Sequence, residues 1–371
     1  MFLVKKRPAR HSHHMFEILE KSTLSKDDII TLLSLTGEEQ QQLFGYAAKI
    51  KLQHAGNKVW LRGLIELSNV CEKDCYYCGI RRSNNNTHRY SLSHDEVTQA
   101  VKNAYEKGYG SVAIQSGEIS SKAFIDKIDE ILKDSKRATN GEIGITLSCG
   151  EQSEETYRRW FESGADRYLL RIETSSEELY KKLHPHDGMH IYSRRMKALE
   201  AIRTTGYQLG TGVMIGLPFQ TPEMLADDLF FMKQLDIDMC GMGPYIEHTN
   251  TPLYAFREQL LPLTERLALS LKMVSLLRIL MPDINIAATT ALQAIAKEGR
   301  ERAISIGANV LMPNITPKQY RNDYFLYENK PVSHHSDDEE LRSLDKRLKA
   351  IGHEIGYFRQ GNSLHFNGLH R

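Results

Sequence analysis

The feature that most constrains the fold is a repeated alternation between short apolar runs rich in β-forming residues and longer stretches with helical signals. The alternation starts near residue 58 and supplies eight runs, at 60–70, 111–117, 143–149, 167–174, 209–217, 239–246, 284–291 and 309–315. Strands that alternate with helices are typical of βαβ units and a parallel sheet. Eight such units in about 260 residues predict an α/β fold with a complete (β/α)8 TIM barrel, and a doubly wound open sheet is the alternative.

Helix signals mark the segments that flank these runs. Ser93-His94-Asp95-Glu96 is a capping box, and Thr221-Pro222 places an N-cap before a proline at the first helical position. Residues 15–55 are amphipathic and polar, which predicts an N-terminal helical extension. After about residue 328 the alternation stops, and a polar link, a charged helix over 341–351 and a glycine-rich tail follow. The predicted division is an extension at 1–57, the barrel at 58–328 and a short C-terminal helical tail at 329–371.

The composition narrows the class of protein. Lys and Arg total 48 against 47 for Asp and Glu, and the net charge of +1 gives no general attraction to nucleic acid or anionic lipid. No apolar run approaches the length of a membrane span, and the N-terminus lacks the apolar core of a secretory signal. Five cysteines, three of them within one short window, do not describe a disulfide scaffold. We therefore expect a protein of the reducing cytoplasm, with no nucleic-acid or membrane partner.

Three cysteines follow the first predicted strand with the spacing C-x3-C-x2-C: Cys71, Cys75 and Cys78. Barrel enzymes carry their chemistry at this C-terminal end of the strands. A structural zinc site needs four ligands, and no fourth Cys or His lies at finger spacing. Three thiolates instead suit three irons of a 4Fe–4S cube whose fourth iron stays open to an outside ligand, although three structural cysteines could also cluster by chance. The remaining Cys149 and Cys240 are too few for a second cube and are predicted to be buried spectators.

The C-x3-C-x-aromatic-C motif at the end of a first barrel strand resembles the signature of the radical S-adenosylmethionine (SAM) enzymes. The resemblance implies one 4Fe–4S cluster held by the three cysteines, with SAM chelating the fourth iron. It also implies that an electron from an external donor, passed through the cluster, cleaves SAM to a 5′-deoxyadenosyl radical. In such an enzyme the protein holds SAM in place and excludes water.

Further segments are similar to the HydE family, the radical SAM maturases that help to build the diiron site of FeFe-hydrogenase. This resemblance covers roughly residues 30–330 and is dense at the strand ends, at 76–84, 89–90, 115–118, 146–151, 165–174, 216–221, 239–244, 252–253, 288–291 and 307–314. It implies a role in assembly of the diiron cofactor, a small organometallic substrate (an iron–cysteine–CO–CN precursor) and partner proteins of hydrogenase maturation.

The resemblance assigns SAM-binding roles to residues near the strand ends. The 116–118 backbone would meet the methionyl amino group, Glu173 would accept hydrogen bonds from the ribose hydroxyls, and Arg195 would bind the methionyl carboxylate. The implied set of cofactor-binding residues is Tyr77, Gln115, Ser116, Gly117, Glu118, Ser148, Glu173, Arg195, Met239 and Gly243.

A second set is implied to face the substrate cavity and forms the candidate catalytic residues: Arg171, Thr289, Thr290, Tyr324 and Tyr327. Cationic and hydroxyl donors suit cyanide-bearing anionic ligands. Two alternatives stay open. Arg171 and Glu173 stand two residues apart on one strand and could pair with each other, and the tyrosines could be core aromatics at helical spacing.

This chain also departs from the family pattern. It has none of the three C-terminal cysteines that some members use for an accessory cluster. Phe219 stands where the family more often has glycine, which costs the loop a flexible backbone position. The rival functions are methylornithine synthase, which would act on an amino-acid substrate, biotin synthase, another small-molecule radical SAM enzyme, and a non-catalytic iron–sulfur scaffold. Formation of 5′-deoxyadenosine would separate an enzyme from a scaffold.

Overall fold

The structure is a computed structural model that describes residues 10–332 and 336–369. Parts of two predicted regions, 1–9 of the extension and 333–335 and 370–371 of the tail, lie outside the described residues. From residue 10 onward, three helices precede the first strand: α1 (Arg10–Leu19), α2 (Lys26–Ser34) and α3 (Gly37–His54). The Ser25 side chain accepts the amide of Asp28 at the start of α2, in a full capping box. The helical interpretation of this region is confirmed.

Every predicted β-run contains at least one strand. The strands are β1 (Lys58–Ser68), β2 (Ser111–Ser116), β3 (Gly144–Ser148), β4 (Arg167–Leu169), β5 (Gln208–Thr211), β6 (Met214–Ile215), β7 (Met239–Cys240), β8 (Gly243–Pro244), β9 (Asn285–Ile286), β10 (Val310–Leu311) and β11 (Glu354–Ile355). The runs at 209–217 and 239–246 each supply two short strands, because the chain breaks its ladder in the middle of each run.

Helices follow the strands as the alternation predicts. They are α4 (His94–Glu106), α5 (Lys122–Ala138), α6 (Glu154–Glu162), α7 (Glu177–Leu183), α8 (Tyr192–Thr205), α9 (Pro222–Gln234), α10 (Leu263–Leu280), α11 (Thr290–Ile295), α12 (Gly299–Ile306), α13 (Asp337–Ala350) and α14 (Leu364–Leu369), with 3-10 helices at Pro252–Gln259 and Lys318–Asp323. Ser93 caps α4 with its predicted capping box, and Thr221 caps α9 ahead of the predicted proline. Among the described residues, no helix is both long and apolar enough to cross a bilayer.

The strands form a curled parallel sheet whose hydrogen-bonded path runs β10-β1-β2-β3-β4-β5-β7-β9. The pairs along this path are parallel, β6 pairs separately with β8, and β11 joins the start of β1. An isolated parallel bridge links Ala287 and Val310. The fold is therefore α/β with a half-barrel of eight strands, and a complete barrel stays a prediction.

Side chains from most of these strands meet inside the curl. They leave a cavity of about 30 Å³, which is lined from β1, β2, β3, β4, β7, β9 and β10. The C-terminal segment lies under the starting ends of the strands, where the Gly361 carbonyl accepts a hydrogen bond from the Asn285 amide at 2.8 Å. The three cysteines of the motif follow β1 at the opposite end of the sheet, where the strands finish.

Candidate functional site

The three motif cysteines lie in the loop that follows β1. The sulfur of Cys71 accepts a hydrogen bond from the backbone N–H of Glu118 at 3.3 Å. Burial raises the pKa of all three thiols, and it raises that of Cys75, next to Cys71, to about 12. Because burial and mutual repulsion both oppose ionisation, three thiolates here call for a cationic group among them. The donor set fits an iron–sulfur cube, in which each thiolate binds a different iron.

A mononuclear metal site does not account for this loop. In the part of the chain that the structure describes, no three His, Cys, Asp or Glu side chains converge as ligands of one ion. A tetrahedral zinc site would require such convergence, whereas the cysteines of a cube are spaced apart by the cube itself.

The end of β2 supports the cysteine loop through its backbone. Ser116, the last residue of the strand, is buried, and the N–H of Gly117 donates to the Ser68 carbonyl at 2.9 Å. A Cβ at Gly117 would lie 2.1 Å from the carbonyl oxygen of Val70. Only glycine therefore allows β2 to end this close to the cysteine loop.

Arg89 fastens the far side of the loop. Its guanidinium donates to the carbonyls of Asn69 at 2.6 Å, Ile80 at 2.8 Å, Arg81 at 2.6 Å and Asn84 at 3.0 Å. Four carbonyls on one fork fix the path of the chain on both sides of the cysteines. The sequence analysis included Arg89 in a family-like segment but assigned it no role, because its partners are backbone atoms that leave no side-chain signature.

A buried cluster of two cations and two carboxylates lies beside the cysteines. Lys73, within the cysteine loop, is 3.1 Å from Glu151 and 3.2 Å from Glu118, and Arg195 Nε donates to Glu151 at 2.6 Å. Burial raises the pKa of Glu118, while Arg195 and Lys73 outweigh burial and lower that of Glu151. The predicted residues Glu118 and Arg195 are thus brought together, and Lys73 and Glu151 are members that sequence reasoning missed.

Arg195 is engaged by the protein itself. Besides its bond to Glu151, its Nη1 donates to the Arg171 carbonyl at 2.5 Å, and its Nη2 is 4.0 Å from Glu118. The carbonyl of Arg171 and the carboxylate of Glu151 hold the guanidinium of Arg195 in a fixed position beside the loop that carries the cysteines. Its predicted role toward a SAM carboxylate stays a prediction.

Arg171 and Glu173 form an ion pair at 2.9 Å, which is the alternative that the sequence left open. Arg171 Nη2 also donates to the Val213 carbonyl at 3.0 Å. Glu173 has a φ of 67°, in the left-handed region that side chains other than glycine rarely adopt. Strain of this kind costs about 1–3 kcal/mol and clusters at functional sites. The pair places a carboxylate at the end of the fourth strand, and its binding role stays a prediction.

The segment after α7 lies against the cysteine loop. The backbone N–H of Asp74 donates to Nε2 of His190 at 3.0 Å, so the proton of His190 sits on Nδ1, 2.7 Å from Asp187. The Tyr77 hydroxyl lies 3.4 Å from Nε2 of His184. Burial lowers the pKa of His184 to about 3, so this ring is neutral. Sequence reasoning placed Tyr77 here but not the two histidines.

Two of the predicted cavity residues lie on the segment after β10. The Tyr324 hydroxyl accepts a hydrogen bond from Gln115 Nε2 at 3.3 Å and is buried inside the sheet. Burial raises the pKa of Tyr327, the charge of Glu66 raises it further, and Arg171 opposes this shift. That Tyr327 faces the substrate cavity stays a prediction.

The remaining predicted residues are distributed along the interior and its rim. A Cβ at Gly243 would lie 2.3 Å from the Thr289 hydroxyl, so these two predicted residues are in contact. Thr290 lines a larger cavity of about 520 Å³ between the strand ends and α13. Three predicted SAM-binding residues line the small central cavity: Gln115, Ser148 and Met239. The Met239 sulfur accepts a hydrogen bond from Arg62 at 3.0 Å.

The fold and the cysteine loop define the class. Residues 65–232 match the Radical SAM superfamily model. The chain is also 39% identical, over 343 residues, to the [FeFe] hydrogenase maturase subunit HydE of Thermotoga maritima, with 92% of this chain and 95% of that protein covered. This chain belongs to the HydE family of radical SAM enzymes. It is accordingly an enzyme that uses a 4Fe–4S cluster and SAM.

Two further relatives share most of the chain. The 3-methylornithine synthase of Methanosarcina acetivorans is 28% identical over 341 residues, which cover 91% of this chain and 92% of that protein. The solved structure of methylornithine synthase superposes with a TM-score of 0.78 at 24% identity and covers 93% of this chain and 97% of that chain. The superposition on the methylornithine synthase structure shows that the two chains share the radical SAM α/β fold.

Proposed function

We propose that this radical SAM enzyme acts on an iron–cysteine–CO–CN precursor during assembly of the FeFe-hydrogenase diiron cofactor. The observation that carries the proposal is the 39% identity to HydE over 92% of the chain. If Arg171, Tyr324 and Tyr327 face the substrate as proposed below, they would offer it a guanidinium and two hydroxyls. Cyanide and carbonyl ligands end in N or O acceptors, which such donors suit.

Cys71, Cys75 and Cys78 are proposed to ligate one iron each of the cluster. When bound, the cluster supplies the single electron that cleaves SAM. The chain's part is to hold SAM and exclude water. The roles that we propose are backbone contact to the methionyl amino group from 116–118, acceptance of the ribose hydroxyls by Glu173, and support of the methionyl carboxylate by Arg195. The other proposed SAM-binding residues are Tyr77, Gln115, Ser148, Met239 and Gly243.

The proposed substrate-facing residues are Arg171, Thr289, Thr290, Tyr324 and Tyr327. Arg171 would have to exchange or share its bond to Glu173 when substrate and SAM bind. Both residues lie in the short segment that follows β4, so the exchange would need their side chains to move.

One cluster per chain is proposed, with Cys149 and Cys240 outside it. Both are buried, and they contact different partners: Cys149 Sγ lies 3.9 Å from the Ile114 carbonyl, and Cys240 Sγ lies 3.6 Å from the Met232 sulfur. About four irons per chain, both in wild type and in a Cys149→Ala, Cys240→Ala double variant, would support this proposal. About eight irons in wild type, falling in the variant, would refute it.

The wider setting is proposed as follows. The sheet closes into a complete barrel, supported by the Ala287–Val310 bridge and by the bonds from Asn309 N to Ile286 O and from Ala288 N to Val310 O, both 2.9 Å. The extension (1–57), barrel (58–328) and tail (329–371) keep their predicted division.

The free cysteines and the oxidisable cluster suit the reducing cytoplasm. An external electron donor and partner proteins of hydrogenase maturation complete the setting.

The experiment is anaerobic reconstitution with SAM and dithionite, with a cysteine–iron–CO–CN complex, lysine and small thiol-derived heterocycles offered in parallel. Mass spectrometry and electron paramagnetic resonance follow the products. We expect the iron complex to be consumed only when SAM and dithionite are both present, together with cleavage of SAM. Conversion of lysine to a rearranged amino acid, with the iron complex untouched, would overturn the proposal.

A further inference from the structure

The interior of the sheet holds a carboxylate that the sequence analysis did not single out. Glu66 is on β1 and only 2% exposed. Leu64, two residues earlier on the same face of the strand, lines the central cavity. Glu66 also pairs in register with Gln115, whose side chain lines that cavity as well. The carboxylate therefore points into the interior, beside the Gln115–Tyr324 hydrogen bond.

Lys330 provides the counter-charge of Glu66 from a distant part of the chain. Its ammonium group donates to Glu66 Oε1 and, at 2.8 Å, to the Tyr324 carbonyl, and it lies 5.1 Å from the centre of the Tyr324 ring. The second carboxylate oxygen accepts the Asn314 amide at 3.0 Å. The side chain of Lys330 is 7% exposed. Both oxygens of Glu66 are thus occupied by groups of the protein.

Lys330 stands at the boundary of the larger cavity. That cavity, of about 520 Å³, is lined by Lys330 and by Thr290, Arg300 and Asn314 among others. A molecule entering from this side meets the lysine before it meets the carboxylate. Glu66 also acts electrostatically on Tyr327, so its charge is felt among the proposed substrate-facing residues.

A buried carboxylate needs a cation, and an ammonium group with free donors is a suitable one. If the chain did not supply this cation, an amine-bearing ligand would. We propose that Lys330 is a specificity-determining residue: its ammonium occupies the position beside Glu66 that a substrate amino group would take. The enzyme thereby rejects amines at Glu66 and leaves the donors around it for neutral or anionic substrates. This inference rests on the proposed function in taking this interior as the substrate cavity.

The test restores the missing charge from solution. Lys330→Ala removes the equivalent of an n-propylammonium ion, so n-propylamine hydrochloride is the probe, with n-propanol as its neutral counterpart. Calorimetric titration and thermal unfolding are measured on the full-length, cluster-loaded protein. We expect Lys330→Ala to bind n-propylammonium at least about tenfold more tightly than wild type and to be stabilised by it. Neither effect should appear with n-propanol.

Two control variants identify the partner of the bound amine. Lys330→Met keeps the length of the side chain and fills the space, so it should not bind the amine. A Glu66→Gln, Lys330→Ala double variant has the space but no carboxylate, and it should also fail to bind. If Lys330→Ala does not accumulate as folded protein, Lys330→Ser provides the same comparison.

Absence of tightened amine binding in both small-residue variants would contradict the inference, and so would equal binding in the Glu66→Gln double variant. Since amine binding is measured without turnover, this result is separate from the proposed function. An enzyme that ignores the iron complex but whose Lys330→Ala form binds n-propylammonium would overturn the proposed substrate and leave the role of Lys330 intact.

Discussion

The backbone N–H of Glu118 donates a hydrogen bond to the sulfur of Cys71 across 3.3 Å. This contact ties Glu118, two residues after the end of β2, to the first cysteine of the motif. Neighbouring parallel strands end at the same edge of the sheet, so the two sequence motifs are brought together by the fold itself. An N–H directed at a thiolate sulfur also tunes a bound cluster.

Replacing Gly117 tests whether this close approach is required. A Cβ there would lie 2.1 Å from the Val70 oxygen, so Gly117→Ala must push β2 and the cysteine loop apart. We expect a destabilisation of about 1–3 kcal/mol and reduced iron incorporation. Gly45→Ala on α3 is the matched control, because a Cβ at Gly45 has no neighbour within 4 Å. Equal iron content in the two variants would show that the loop tolerates displacement.

Glu173→Gln tests the proposed ribose contact. The amide keeps an acceptor but loses charge-assisted hydrogen bonds worth about 1.5–3 kcal/mol. We expect SAM affinity to fall by roughly ten- to hundred-fold while iron content stays unchanged. Glu301→Gln, which breaks a comparable bond to Arg347 at 2.7 Å on α12, should leave SAM affinity as it is. If both variants bind SAM like wild type, the carboxylate of Glu173 serves only Arg171.

Asp228 predicts a pH dependence of stability. Its Oδ1 accepts both the N–H and the hydroxyl of Ser175 at 2.6 Å, two residues after Glu173, and burial raises its pKa to about 7. The unfolded carboxyl ionises near pH 4. Since the folded state holds its proton more tightly, stability falls as pH rises from about 4 to about 7, by up to about 4 kcal/mol.

Asp228→Asn removes this ionisation while it keeps the acceptor. Denaturant unfolding at pH 5, 6, 7 and 8 is the measurement, and the advantage of the variant over wild type should grow with pH and level off above about pH 7. A constant difference across the series would show that Asp228 does not titrate in this window.

Phe219 occupies the loop position where glycine was expected, and it adopts a φ of 67°. The loop thus keeps a glycine-like backbone, with the ring packed edge-on against Phe256 at 4.9 Å. A left-handed conformation costs an L residue about 1–2 kcal/mol. We expect Phe219→Gly to be more stable than Phe219→Ala by about 1 kcal/mol in thermal unfolding. Phe161, inside α6, is the control position. There the alanine variant should be more stable than the glycine variant by about 1 kcal/mol. Equal stabilities at position 219 would rule out backbone strain there.

The sequence predicted the features that rest on local periodicity. Strand–helix alternation placed all eight runs, and capping chemistry placed the starts of α4 and α9, since both signals depend on neighbours in the chain. The spacing of the cysteines predicted the cluster for the same reason. Lys73 and Glu151 could not be found in this way, because a lysine and a glutamate distant in sequence look like surface charges until the fold brings them together.

The alternatives for Arg171 show the same limit. Two residues two apart on a strand share a face, which allows both an ion pair and two separate ligand contacts. Only the side-chain positions distinguish these two possibilities, and in the structure Arg171 and Glu173 form an ion pair at 2.9 Å. Lys330 joins Glu66 across more than 250 positions of sequence, so no local pattern could have matched them.

The central claim is that this chain cleaves SAM with a cluster held by its three motif cysteines. The most direct measurement is 5′-deoxyadenosine formed from SAM and dithionite by anaerobically reconstituted protein, quantified by mass spectrometry for wild type and for Cys75→Ser. A serine oxygen is a poor replacement for a soft thiolate ligand. We predict 5′-deoxyadenosine from wild type and none above background from Cys75→Ser. Undiminished 5′-deoxyadenosine formation by Cys75→Ser, or none from iron-loaded wild type, would contradict the account.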